Sequence, residues 1–209
     1  METASLTGSR ATLENRESFF KRINSRWSKD SREYELIEQA YDTAKEALRG
    51  VTREDGTRYF EHPRSVALIL IDVLESTDAY AICLALLHDV IEENETEWSV
   101  ERVRDEFGEI IAQDIASITK PHDIWSLTDC GLSYHASFWY ASRRVATVKL
   151  ADRYHNLLTL RNCSLVKQLR KREETRAHYL PLAQFWGVLA HEIEVLLEMP
   201  PELRLDGIP

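Results

Sequence analysis

Residues 79–94 read AYAICLALLHDVIEEN, and no other stretch constrains the fold as much. From Ala81 to Leu87 every residue is apolar, so a helix here has no face to offer to water and belongs in the middle of a fold. Four titratable residues then fall within six positions: His88, Asp89, Glu92 and Glu93. Residues four apart on a helix share a face, with Cβ atoms about 5–6 Å apart. A continuous helix would stack His88 over Glu92 and Asp89 over Glu93. Taken alone, a His-Asp pair followed by acids reads as a helix end that surfaces, because carboxylates are usually exposed.

The rest of the chain repeats the helical period. Apolar residues at Leu36, Ile37, Ala40, Tyr41, Ala44, Ala47 and Leu48 predict a helix over 34–48, ended by Gly50. A mostly polar helix is expected over 12–26. TREDGTRYFE, 52–61, reads as a loop, and His62-Pro63 opens a helix to about Leu74. Thr77 or Asp78 caps the next helix, and Ser99 caps a short one ending near Gly108. Another follows over 109–119. Residues 120–133 form the longest irregular segment and read as a candidate lid. A long helix is expected over 134–160, and a last helical region over 165–199, interrupted at Pro181. With seven Gly and six Pro in 209 residues and no sustained alternation, the chain reads as all-α, one compact helical bundle. The division expected is a tail and first helix over 1–30, the main domain over 31–199, and a short tail over 200–209.

The formal net charge is −9, which argues against a general nucleic-acid binder but leaves room for a small anionic substrate in a local basic pocket. No run of about 18 apolar residues suggests a membrane span, and METASLTGSR lacks the apolar core of a signal peptide. Cys83, Cys130 and Cys163 share no CxxC spacing and read as free thiols in a reducing cytoplasm.

Two residues change the reading of the His-Asp pair. His62 opens a helix, and Asp152 lies among Val148, Leu150, Ala151, Leu157 and Leu158, four residues before Asn156. An unpaired carboxylate among such neighbours is costly to bury, and a metal removes that cost. His62, His88, Asp89 and Asp152 together make two imidazoles and two carboxylates. That set suits a first-row divalent ion such as Mn, Fe or Zn with a position left open.

H…HD…D in this order resembles the HD phosphohydrolase superfamily. The segments GTRYFEHPRSVALIL, ALLHDVIEEN and VKLADRYHNLLTL, with the tail KREETRAHYLPLAQFWG, resemble more narrowly the hydrolase domain of RelA/SpoT-type alarmone enzymes, over roughly residues 34–190. The closest description is a stand-alone small alarmone hydrolase. The resemblance implies an Mn(II) ion held by His62, His88, Asp89 and Asp152, and hydrolysis of the 3′-pyrophosphate of ppGpp or pppGpp to GDP or GTP. By motif, Glu92 and Glu93 match the family's acidic pair that orients or deprotonates water. Arg53, Asn156 and Thr159 match positions that meet the nucleotide.

Two departures from the family stand out. Its acidic pair is usually Glu-Asp, whereas this chain has Glu-Glu. Its Arg-Lys-Ser loop is here Arg53, Glu54 and Asp55, and the two acids are expected to repel phosphate. Lys149, Arg153 and Arg161 read as solvated or paired charges, with one or two available to 5′-phosphates. His155 reads as structural, facing away from Asp152, and His122 and His135 are not assigned as ligands. The same chemistry on adenosine alarmones, NADPH or a pyrophosphorylated tRNA end is the nearest alternative, the last as antitoxin to a toxic alarmone synthetase. A non-catalytic nucleotide-binding module is another. Phe185, Trp186, Val188, Leu189, Ile193, Leu196 and Leu197 either pack on the domain's own core or form a homodimer.

Overall fold

The computed structural model describes residues 15–120 and 134–199. The expected loop over 120–133, His122, Cys130 and the two tails lie outside these residues in whole or nearly so. Among the described residues the secondary structure is helical, with one isolated bridge between Thr52 and Arg58. Helix α1 spans Arg16–Asn24, α2 Arg32–Ala47, α3 Glu61–Leu68, α4 Ala79–Leu87, α5 Val90–Glu93, α6 Val100–Phe107 and α7 Glu109–Ile118. Then come α8 Arg143–Leu158, α9 Leu165–Glu174, α10 Leu180–Trp186 and α11 Ala190–Glu198.

Side-chain caps start most of the longer helices. The side chains of Asn15, Ser31, Asp78, Ser99, Ser142 and Ser164 each accept a hydrogen bond from an N–H of the first turn. Each satisfies a donor that has no partner inside the helix. Of the two caps expected for α4, Asp78 takes the place, accepting from Tyr80 N and Ala81 N at 3.0 and 3.2 Å.

Helix α4 is the centre of the packing. From Ala79 to Leu87 only Tyr80 is more than 4% exposed. Helices α2, α3, α7 and α8 surround it, and α8 in turn carries α10 and α11 on its other side. Phe19 and Phe20 of α1 reach the same core through Tyr41, with ring centroids 4.9 and 5.3 Å apart. No helix among the described residues is long and apolar enough to cross a membrane.

Three expected helices differ in outline. The helix over 134–160 is broken: residues 134–137 are helical, a turn follows, and α8 restarts where the Ser142 hydroxyl accepts from Val145 N at 3.2 Å. The serine competes for the backbone and starts a new helix. The last region is not interrupted at Pro181. A π-turn over Thr175–Tyr179 precedes it and holds Ala177, whose carbonyl the proline ring would otherwise crowd. The chain stops instead at Gly187, which caps α10 in the left-handed region at φ +64°. Finally, α4 does not run on through His88 and Asp89. The Ala85 carbonyl, which a continuing helix would offer to the Asp89 N–H, accepts from the His88 ring at 2.8 Å. The His88–Glu92 row of a continuous helix is therefore lost, while Glu93 N still bonds Asp89 O at 3.0 Å.

Val188, Leu189, Ile193, Leu196 and Leu197 are buried against the chain's own core, and Phe185 is exposed. Arg172 fastens α11 from below, donating to the carbonyls of Leu196, Leu197 and Met199. Because Leu84 is fully buried at the centre, Leu84→Ala should lower the unfolding free energy by about 2–5 kcal/mol. A urea titration reads this as a lower midpoint at unchanged slope.

Candidate active site

Three helices meet at one end of α4. His62 sits in the first turn of α3, His88 at the C-cap of α4, Asp89 just before α5, and Asp152 in the middle of α8. The loop before α3 is closed by Tyr59 N bonding Val51 O at 2.9 Å. Asp55 shapes its tip by accepting from Thr57 N and Oγ1, at 3.0 and 2.6 Å.

The sequence-expected ligands converge. One ligand atom each from His62, His88 and Asp89 fall within 4.8 Å of one another, a spacing that could hold a metal ion. His62 Nε2 lies 3.1 Å from Asp152 Oδ1 and 3.6 Å from Asp89 Oδ2. His88 Nε2 lies 3.3 Å from Asp89 Oδ2 and 3.9 Å from Asp152 Oδ1.

The donor set fits a cation. His88 donates its Nδ1–H to the Ala85 carbonyl, so in the neutral ring Nε2 carries a lone pair. That nitrogen is buried without a hydrogen-bond partner and faces two carboxylate oxygens. Lone pair against lone pair is repulsive unless a proton or a cation lies between them. Burial works against a charged ring, yet Asp89, and after it Asp152, push His88 up to about 9. Burial likewise opposes charge on Asp89, but His88 and then His62 hold it well below the usual carboxylate range.

Neighbours fix the two acids. Tyr59 Oη donates to Asp89 Oδ2 at 3.0 Å. Asn156 Nδ2 donates to Asp152 Oδ1 at 2.5 Å, and Arg53 donates to Asn156 Oδ1 at 2.9 Å. Lys149 pairs with Asp152 Oδ2 at 3.2 Å. Arg53 and Asn156 thus support Asp152 while also lining the cavity. Thr159 lines it too, with its hydroxyl donated back to His155 O at 3.1 Å. His155 is not turned away from the centre. Its Nδ1 is 2.8 Å from His62 Nδ1, and burial holds its pKa well below the ordinary value.

These groups floor a cavity of about 390 Å³, in the range of small-ligand sites. Glu92 Oε1 accepts from Lys120 N at 2.9 Å. Glu93 has a raised pKa because burial disfavours its charge; a Tyr59 hydrogen bond opposes this, and Asp89 and Glu92 add to it. The lining also includes Lys120, Lys149, Arg153, Lys167 and Lys171. Lys149 and Arg153 are 5% and 4% exposed, so they are paired rather than solvated, Arg153 to Glu174 at 2.9 Å. Glu54 does not face the cavity as a free charge: Lys167 Nζ meets its carboxylate at 2.5 Å. Asp55 is also engaged, by its turn and by Asn162 at 2.9 Å. His135 stacks on His178, centroids 4.4 Å apart, away from the ligand cluster.

Sequence reasoning missed Tyr59, took His155 as structural, and read Lys149 only as a solvated or paired charge open to a phosphate. Lys149 was legible as the residue one turn before Asp152 on a packed helix. Tyr59 and His155 had no such signal, because their partners lie 30 and 93 residues away.

Comparison with known proteins gives the family. The family described as HD domain matches residues 40–189. A guanosine-3′,5′-bis(diphosphate) 3′-pyrophosphohydrolase of Aquifex aeolicus is 33% identical over 164 residues, 77% of this chain and 23% of that protein. The bifunctional (p)ppGpp synthase/hydrolase SpoT of Escherichia coli is 34% identical over 168 residues, 78% of this chain and 23% of that protein. A GTP pyrophosphokinase of Streptomyces coelicolor is 33% identical over 155 residues, 73% of this chain and 18% of that protein. The chain thus spans about a quarter or less of the length of these relatives. A solved structure described as a metazoan ortholog of SpoT that hydrolyzes ppGpp shares the fold. Its TM-score is 0.60 at 23% identity, covering 82% of this chain and 92% of that one. With its helical fold, its His-His-Asp cluster and a family match over most of its length, the chain belongs to the HD domain family.

Proposed function

We propose that the chain is a metal-dependent pyrophosphohydrolase of guanosine alarmones, cleaving the 3′-pyrophosphate of ppGpp or pppGpp to leave GDP or GTP. The observation that carries this reading is the buried, unpartnered His88 Nε2 facing Asp89 and Asp152, beside a cavity lined by Glu92, Glu93 and several cations. The curated relatives named for this reaction support the substrate class.

His62, His88, Asp89 and Asp152 would hold the ion, with Mn(II) the first choice among first-row metals. Bound there, it supplies Lewis-acid charge to phosphoryl oxygens and lowers the pKa of water. In the reaction a water oxygen bonds to the phosphorus next to O3′, the P–O3′ bond breaks, and O3′ takes a proton. Glu93, with its raised pKa, is suited to take the water's proton, and Glu92, fixed by Lys120 N, flanks it. Lys149 and Arg153 are held rigid by buried ion pairs and present fixed positive charge to the phosphates. Arg53, Asn156 and Thr159 line the end of the cavity where the nucleoside would lie.

A second reading keeps the chemistry and moves the substrate to an adenosine alarmone or the 2′-phosphate of NADPH. What favours it is the 53–55 loop: Glu54 lines the cavity, paired with Lys167, where the family's loop, by resemblance, carries Lys.

Anion-exchange analysis of products from ppGpp, ppApp and NADPH, each with metal-stripped protein with and without Mn(II), separates the readings. GDP plus pyrophosphate, formed only with Mn(II), is expected. Turnover of ppApp or NADPH alone would move the substrate. His88→Ala and Asp152→Ala should each abolish Mn(II) binding and turnover at unchanged helix content by circular dichroism. Full activity in either would refute the ligand assignment.

Glu93→Gln should lower kcat by about 10²–10⁴-fold, and Glu93→Asp should remain active. The base form of Glu93 is lost as pH falls through its raised pKa. The acid limb of kcat/KM should therefore lie above the ordinary glutamate value and vanish from the residual activity of Glu93→Gln. A limb at or below that value would count against Glu93 as the base.

A further inference from the structure

We infer that His155 is a positioning residue for the metal centre, accepting a hydrogen bond from His62 Nδ1–H and so holding the His62 ring with Nε2 bare toward a cation. The inference rests on the proposal above that His62 is a ligand. The two Nδ1 atoms are 2.8 Å apart, and the rings meet with centroids 4.8 Å apart at 43°. Two ring nitrogens at that distance share one proton, so one ring donates and the other accepts. His62 Nε2 points at Asp152 Oδ1 and Asp89 Oδ2, at 3.1 and 3.6 Å. A cation among those oxygens needs the lone pair of this nitrogen, which places the His62 proton on Nδ1. His155 Nδ1 is then the acceptor, and the His155 proton sits on Nε2.

The same logic operates at His88, whose Nδ1 is engaged by the Ala85 carbonyl. Both imidazoles of the centre thus have their outer nitrogen fixed, one by backbone and one by a side chain from another helix. His155 is itself held in register, since its carbonyl accepts from Thr159 N and Oγ1, both at 3.1 Å. Along one turn, α8 supplies the ligand Asp152, the support of His62, and Asn156, which donates to Asp152. A neutral acceptor orients His62 without adding a negative charge to a cavity that must admit an anion.

The test is Mn(II) affinity of the full chain, measured by competition with a fluorescent chelator. His155→Asn places an amide oxygen as many bonds from the backbone as the histidine Nδ1, so it keeps the acceptor. His155→Leu keeps bulk and removes it. The leucine variant should lose about 10–100-fold in Mn(II) affinity, and the asparagine variant should stay within a few-fold of the unaltered chain. Both should melt as the unaltered chain does when metal-free. If the leucine variant fails to fold, His155→Gln, whose acceptor lies one bond further out, takes its place and should show the same loss. Unchanged affinity in the leucine or glutamine variant, or an equal loss in the asparagine variant, would overturn the positioning role. An unaltered chain that binds no first-row divalent ion would instead overturn the assignment of His62 as a ligand, and with it this inference.

Discussion

Two carboxylates, Asp89 and Asp152, are held against two buried imidazoles at the end of an apolar helix, and the rest of the fold answers to that constraint. Acids in such a place need positive charge close by, because burial penalises them more than any neutral contact repays. Helix α4 must be buried all round to carry His88 and Asp89 inward. Helices α3 and α8 must cross its end to bring His62 within 4 Å of Asp89 and Asp152 within 4 Å of His88. The break after Leu87 serves this: with the Ala85 carbonyl taken by His88, the backbone turns and both side chains point to one spot.

Around this centre, support comes in short chains of hydrogen bonds. Arg53 holds Asn156, Asn156 holds Asp152, Tyr59 holds Asp89, and His155 holds His62. Such groups lose little freedom when a ligand arrives, because their rotamers are already spent on each other. The cavity lining mixes the acids Asp89, Asp152, Glu92 and Glu93 with Arg53, Arg153 and several lysines, and Lys149 pairs directly with Asp152. A protein of net charge −9 thereby concentrates several of its cations around one cavity.

The 53–55 loop carries two acids, Glu54 and Asp55, that read along the sequence as repelling phosphate. In the fold Glu54 is answered by Lys167 of α9, 113 residues on, and Asp55 is turned back on its own loop. What reads as repulsion along the sequence is an ion pair and a turn cap in space. That exchange ties the loop to α9 across the cavity mouth.

The amino-acid order by itself determined the all-α class, the burial of 81–87 and the Ser99 cap, and narrowed the α4 cap to Thr77 or Asp78. It also pointed to the cluster of His62, His88, Asp89 and Asp152. Periodicity and capping act over a few residues, and the motif order carried the rest. Only the tertiary structure decided that α4 stops at His88, that the chain passes Pro181 through a π-turn, and that the helix over 134–160 restarts at Ser142. It alone brought Tyr59 to Asp89, Lys167 to Glu54 and His155 to His62. Those contacts depend on how α3, α8 and α9 cross. Crossing is set by the fit of whole apolar faces, which no local pattern of residues records.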